Sequence, residues 1–202
     1  MADQVSEVLT VAGGLREPCV IVGHSSGAIV ALEALATDPR PFSGAVLYEP
    51  PTPLDDLPLG QPTTVLRARA ALAHGHIGRA LQIFLREGVE VPAWLSAITP
   101  AMALLPDVRR YVARQIDDLD SIIQLGVRTG AYQSIDRAIW FLTGERSPGH
   151  LRERCVRLTA ALPHADLVTL PRTGHGANQS NPRQLGELIC DFAELMLGES
   201  RN

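Results

Sequence analysis

The sequence predicts an α/β fold: a short, mostly parallel sheet flanked by helices, with a helical cap inserted between two strands. Three observations predict it. Apolar runs such as Cys19-Val20-Ile21-Val22 and Ala45-Val46-Leu47-Tyr48 have no polar alternation, which suits strands buried on both faces of a parallel sheet. These runs alternate with stretches of helical periodicity, so the connections read as β–α–β units with right-handed crossovers. Residues 63–135 break the alternation and read as helices without strands. The chain divides accordingly into an elbow-bearing half of the core at 1–60, a helical cap at 61–135 and the rest of the core at 136–202.

Asp3 to Gly14 reads as a helix, with Val5, Val8, Leu9 and Ala12 on one apolar face and Gly13-Gly14 as its stop. Pro18 breaks the chain, and Cys19 to Val22 is the first strand. It runs into Gly23-His24-Ser25-Ser26-Gly27, and a helix rich in small residues leaves at Gly27 to Thr37. A Gly-x-Ser-x-Gly turn between strand and helix is a nucleophile elbow. The tight turn strains the serine backbone and is expected to leave no room for side chains at Gly23 and Gly27. Ser25 is then presented above the sheet edge. The new helix aims its positive end at the same point, so the Ser26 amide can receive a developing oxyanion.

Gly44 to Tyr48 is the next strand, with Glu49-Pro50-Pro51 at its carboxyl end. Proline-rich 50–62 leaves the sheet. Helices follow at Thr64–His74, Ile77–Glu87, Ala93–Leu105 and Asp107–Leu125, with Leu81, Phe84 and Leu85 at helical spacing. Ala138 to Leu142 resumes the sheet and ends at Thr143-Gly144. A helix at His150–Leu162 and a strand at Asp166–Leu170 come next, then a loop carrying Gly174-His175-Gly176. Asn181 can cap the final helix, Pro182 sits in its first turn, and Leu185, Leu188, Ile189, Phe192 and Leu195 form its buried stripe.

Composition bounds the function. A length of 202 residues, 46% hydrophobic and 20% charged, fits one globular domain with an inserted subdomain. Net charge is −4 and the 18 Lys and Arg are scattered, so no nucleic-acid partner is expected. The start lacks a basic segment followed by an apolar core, and no uncharged apolar run reaches ~18 residues, so neither a signal peptide nor a membrane partner is expected. Cys19, Cys155 and Cys190 have no short spacing and read as small buried hydrophobes, which favours a reducing cytoplasm. His74 and His76 have no acidic or Cys partner at metal spacing, and no metal or cofactor is expected.

The order of elbow serine, strand, helical insert, strand, helix, strand, Gly-His loop and final helix resembles the α/β-hydrolase family over nearly the whole chain. Val22-Gly23-His24-Ser25-Ser26-Gly27, Gly144-Glu145-Arg146-Ser147-Pro148 and Gly174-His175-Gly176 carry the resemblance. It implies a serine hydrolase that acts through an acyl-enzyme on a small ester, thioester or lactone. Ser25 would be the nucleophile, and His175 the base that activates it and later protonates the leaving group. Most relatives place an Asp where this chain has Ser147. Others carry the acid after the strand that follows the elbow helix, where Glu49 stands. Glu49 is therefore the preferred acid and Glu145 the alternative. Cap residues Leu81, Phe84, Leu85, Trp94 and Leu95 point to an apolar acyl or alcohol group.

The family's sheet usually begins with several strands before the elbow, whereas one helix and a short loop precede Cys19 here. Those strands would supply a second oxyanion amide, whose loss costs ~10²–10³ in rate. Without them the Cys19–Val22 edge is open to self-association. Three expectations compete: a truncated product, a dimer paired through that edge, or a minimal and weakly active relative. The rival reading is a non-catalytic relative that binds a small ligand or partner. A cofactor-free haloperoxidase-like activity is compatible with the same three residues. Ser25 argues against haloalkane dehalogenases and epoxide hydrolases, which use an Asp nucleophile.

Overall fold

The computed structural model describes residues 1–199, apart from the side chains of Trp94, Leu95 and Glu199. The apolar pattern expected at Trp94 and Leu95 thus lies outside the described residues. In chain order the elements are α1 (Ala2–Gly13), β1 (Cys19–His24), α2 (Ser26–Thr37), β2 (Phe42–Tyr48), α3 (Pro62–Ala73), α4 (Ile77–Ile83) and a π-helical turn (Phe84–Gly88). Then come α5 (Ala93–Met102), α6 (Pro106–Leu125), α7 (Thr129–Tyr132), β3 (Ala138–Gly144), α8 (Gly149–Ala161), β4 (Ala165–Leu170), α9 (Ala177–Ser180) and α10 (Pro182–Glu199). They group into two compact units, one made of Met1–Thr52 with the chain from Val127 onward, the other of Pro53–Gly126.

The first unit is the α/β unit. Its four strands are parallel and lie in the order β1-β2-β3-β4. Unbroken apolar runs suit them because both faces are covered. On one face Val46, Tyr48, Leu142 and Leu170 pack with Phe192 of α10, whose ring sits 5.1 Å from that of Trp140. Alternation turns Ala45, Leu47, Ile139 and Phe141 to the other face, and all four are buried. The α2 helix, buried from Ala28 to Leu35, packs against β1 and β2. Its Glu33 carboxylate accepts two bonds from the Arg128 guanidinium, at 3.0 and 3.1 Å, next to α7.

The register is what positions the site. His24 lies beside Tyr48, and Tyr48 beside Leu142. Three neighbouring strands therefore deliver their carboxyl ends in step. β1 is the edge strand, and Val22 on it is half exposed.

The second unit is helical. Val112, Ile116, Leu119 and Ile122 form the buried stripe of α6. Arg69 of α3 bridges Asp117 and Asp120 of α6, each at 2.8 Å. Glu87 accepts from Thr64 and Arg67 of α3. The helix expected to run through Glu87 instead widens at Phe84, where the Val89 amide donates to the Phe84 carbonyl five residues back. Leu81 is buried, while Phe84 and Leu85 are half-buried.

Two expectations about burial are corrected. Cys155 is buried and Cys19 half-buried, but Cys190 is exposed. It falls beside the apolar stripe of α10 rather than on it. On the same helix Leu195 is also exposed, and Met196 packs against the core in its place. No described helix is long and apolar enough to cross a membrane.

Candidate active site

Ser25 follows β1 by one residue, and Glu49 follows β2 by one residue. The sheet ladder reaches both: the Ser25 amide donates to the Tyr48 carbonyl at 2.9 Å, and the Glu49 amide donates to the Leu142 carbonyl at 3.0 Å. Each residue then turns the chain sharply, with φ of 54° at Ser25 and 46° at Glu49. Non-glycine residues in this region cost about 1–3 kcal/mol each and persist only where the surroundings enforce them. Among the described residues Arg172, at φ 58°, and Glu90 are the other two non-glycine cases, so three of the four belong to this one edge of the sheet.

Only one of the two elbow glycines is required by contact. A Cβ at Gly23 would lie 2.6 Å from the Ala28 Cα, because α2 starts directly over it. A Cβ at Gly27 would meet nothing within 4 Å. The expected crowding at Gly27 is therefore corrected: this second residue of α2 faces outward.

Glu49 is completely buried. One carboxylate oxygen, Oε1, accepts from the Thr143 hydroxyl at 2.7 Å and the Gly144 amide at 2.9 Å. The other, Oε2, lies 2.7 Å from Nδ1 of His175. Burial alone would raise the pKa of this carboxyl. The bonds from His175, Gly144 and Thr143, with the neighbouring Ser147 hydroxyl, outweigh burial and hold it below its ordinary value of 4.5. Ser147 is buried beside the carboxylate, and its Oγ approaches without closing a bond of regular geometry.

His175 stands between the acid and the serine. Its Nε2 is 3.2 Å from the Ser25 Oγ. A charged carboxylate at Nδ1 fixes the tautomer: Nδ1 carries the proton, and Nε2 offers a lone pair to the serine hydroxyl. Ser26 opens α2, so its amide belongs to the positive end of that helix. Glu145 is engaged elsewhere. It is exposed, and its Oε2 accepts from the Arg172 amide at 2.7 Å. The structure thus brings Ser25, His175 and Glu49 together and leaves Glu145 outside the group.

Two side chains without an assigned role in the sequence also meet the His175 loop. Nε2 of His24 donates to the His175 carbonyl at 2.8 Å, and its ring lies 4.8 Å from the His175 ring. The Tyr48 hydroxyl donates to the Gly174 carbonyl at 2.7 Å. Burial lowers the pKa of His24, despite the opposing pull of the carbonyl bond. Burial and the Glu49 charge push Tyr48 up to about 12. His24 is the variable residue of the elbow, a position free to pack or bond; nothing in the sequence points to Tyr48. Among the described residues no cluster of three His, Cys, Asp or Glu side chains is arranged to hold a metal.

With this geometry in view, comparison with known proteins gives a family. Residues 1–188 match the alpha/beta hydrolase family. Similar solved structures include an alpha/beta hydrolase from Sphaerobacter thermophilus, at 28% identity and TM-score 0.60, covering 81% of this chain and 62% of that one. A carboxylesterase from the ammonia-oxidizing thaumarchaeon Nitrososphaera gargenis has 12% identity and TM-score 0.69, with 98% and 73% covered. An N-acyl homoserine lactone degrading enzyme has 20% identity and TM-score 0.60, with 95% and 73% covered. The last two share the fold at that level of identity. The chain spans 62% of the length of the Sphaerobacter structure. No curated protein matches the sequence. On its match over residues 1–188 and its parallel sheet with a strained serine turn, the chain belongs to the alpha/beta hydrolase family.

Proposed function

We propose that the chain is a serine hydrolase that cleaves a carboxylic ester, thioester or lactone through an acyl-enzyme. The observation that carries this reading is the continuous hydrogen-bonded line from Ser25 Oγ through both nitrogens of His175 to a buried, charged Glu49. Carboxylesterases and a lactone-degrading enzyme are among the proteins sharing the fold, which supports the substrate class.

In this mechanism Ser25 Oγ attacks the carbonyl carbon while its proton passes to Nε2 of His175. Charge develops on the carbonyl oxygen, where the Ser26 amide and the positive end of α2 stabilise it. The imidazolium is held by Glu49 through Nδ1. Collapse breaks the bond to the leaving oxygen or sulfur, which takes the proton from Nε2. Water then repeats the sequence on the acyl-enzyme: its proton goes to Nε2, its oxygen to the acyl carbon, and Ser25 leaves protonated. Oε1 of Glu49 is already saturated by Thr143 and Gly144, so only Oε2 answers to the histidine.

The test is labelling with a fluorophosphonate probe, read by intact mass. The expected result is a single adduct on the native chain and none on Ser25→Ala or His175→Ala. No adduct from folded native protein would overturn the reading in favour of a non-catalytic, ligand-binding relative.

A further inference from the structure

His175 arrives from the wrong side of the sheet. It follows β4, while Ser25 follows β1, and two strands lie between them. At ~4.8 Å per strand the loop must carry the imidazole across ~14 Å of sheet edge. A free loop spanning that distance would scatter its side chains over many orientations, at an entropic cost to every productive one.

The loop is not free. Four consecutive residues are anchored to three successive strand ends. The Arg172 amide donates to the Glu145 carboxylate at 2.7 Å, and the Thr173 carbonyl accepts from the Arg146 amide at 2.8 Å, both just past β3. The Gly174 carbonyl accepts from Tyr48 at the end of β2. The His175 carbonyl accepts from His24 at the end of β1. Gly144 lets the strand of contacts pass, since a Cβ there would stand 2.5 Å from the Thr173 carbonyl oxygen. The loop closes on itself at each end, with Thr173 Oγ1 donating to the Leu170 carbonyl and the Ala177 amide donating to the Gly174 carbonyl.

We propose that residues 172–175 form a strap stapled across the carboxyl edge of the sheet, and that His24 and Tyr48 are positioning residues that aim the His175 imidazole through the carbonyls of His175 and Gly174. This rests on the reading of Ser25 and His175 as nucleophile and base. Neither side chain touches the reacting atoms in that scheme. Their work follows from the geometry of the imidazole. The bond to Glu49 holds one ring nitrogen and the His24 ring lies against the imidazole, but neither fixes the backbone from which the ring projects. The position of the His175 backbone then decides where Nε2 points. It now lies 3.2 Å from Ser25 Oγ, so a shift of a few tenths of an ångström breaks the contact. Misplacement of ~1 Å costs about 10²-fold in rate. The order of the staples ranks them: His24 holds His175 itself, Tyr48 its neighbour, and exposed Glu145 the far end of the strap.

The test uses the full chain and three variants, His24→Phe, His24→Gln and Tyr48→Phe. Each is assayed for fluorophosphonate labelling rate, for kcat and KM on p-nitrophenyl butyrate, and for hydrogen exchange of the segment 171–177. Removing one neutral hydrogen bond at His24 is expected to lower kcat and the labelling rate roughly 10-fold with KM within about twofold, and Tyr48→Phe roughly threefold. His24→Gln keeps a donor within reach of the same carbonyl and is expected to recover most of the loss. Exchange in 171–177 is expected to quicken in His24→Phe and Tyr48→Phe and to return toward native in His24→Gln. The proposal is overturned if both donor-less variants react and exchange as the native chain does, or if His24→Gln is as slow as His24→Phe. Should the native chain itself take no label, the hydrolase reading fails while the exchange comparison still decides the strap: quickened exchange upholds the stapling, unchanged exchange overturns it. Tyr48→Phe removes a single hydroxyl and keeps the ring in place, so it remains decisive if His24→Phe does not fold.

Discussion

Glu49 and Glu145 each follow a strand of the same sheet by one residue, and only one of them is turned inward. Their backbones do the same work: the Glu49 amide donates to the Leu142 carbonyl and the Glu145 amide to the Leu170 carbonyl, both at 3.0 Å. Their side chains do not. Glu49 adopts φ 46°, is fully buried and meets Thr143, Gly144 and His175. Glu145 is exposed and accepts a single amide from Arg172. A carboxylate at a strand end is therefore not enough to serve a histidine. It also needs a backbone turn that leaves it over the edge, and donors that keep it charged once water is gone. Glu49 has both.

The sharpest way to break this contrast is to neutralise each acid in turn. Glu49→Gln is expected to lower kcat by ~10³–10⁴, because an amide facing Nδ1 favours the wrong imidazole tautomer. Glu145→Gln keeps an acceptor for the Arg172 amide and is expected to leave kcat within about twofold. Steady-state rates on p-nitrophenyl butyrate decide it. A collapse in both variants, or in neither, would end the distinction between the two sites.

A second experiment asks whether the place or the residue matters. Ser147 lies buried against the Glu49 carboxylate, close enough to help hold its charge. In Glu49→Gln/Ser147→Asp the negative charge is moved from the end of β2 to the loop after β3. A new carboxylate within reach of Nδ1 is expected to restore roughly 10-fold or more over Glu49→Gln alone. No recovery in a folded double variant would mean that the site accepts its acid from β2 only.

The same contrast marks what could be read before the structure. The four strands lie within two residues of their expected positions: β2 begins two residues early at Phe42, and β1 runs two residues further, to His24. Local pattern determines these elements, so local pattern reveals them. The turn at Ser25 and the loop carrying His175 are legible because Gly-x-Ser-x-Gly and Gly-His-Gly each announce themselves within a few residues. The resemblance favours Glu49 over Glu145, but the physical reason for that choice is not in the local sequence, since it depends on Thr143 and Gly144, about 95 residues beyond Glu49 and brought to it by the β2–β3 register. The hydrogen-bond partners of His24 and Tyr48 are hidden for the same reason: they are carbonyls in a distant loop. Open space at Gly27 is not written in the motif, because crowding depends on where α2 runs after the turn. Exposure of Cys190 and Leu195 is not written in helical spacing, which does not say where contact with the sheet stops.

Stability against pH gives a finer test of the charge on Glu49. The folded pKa of Glu49 lies below its ordinary 4.5, so between the two values the unfolded chain holds the proton more tightly than the folded one. Its contribution is therefore complete above pH 4.5 and is lost as pH falls through the folded value. His24 is also depressed, from 6.5, by burial. Its contribution is complete above pH 6.5 and is lost as pH falls further, because the folded site resists the charge that the unfolded histidine accepts. Urea midpoints followed from pH 7.5 to 3.5 are expected to show both losses on top of the chain's other carboxylates. Differences between variants remove that background. His24→Phe should flatten the curve just below pH 6.5 and leave the region below 4.5 alone. Glu49→Gln should flatten the region below 4.5. If Glu49→Gln ran parallel to the native curve in its window, the carboxylate would carry no stabilising charge in the fold, and the contrast with Glu145 would rest on burial and hydrogen-bond partners alone.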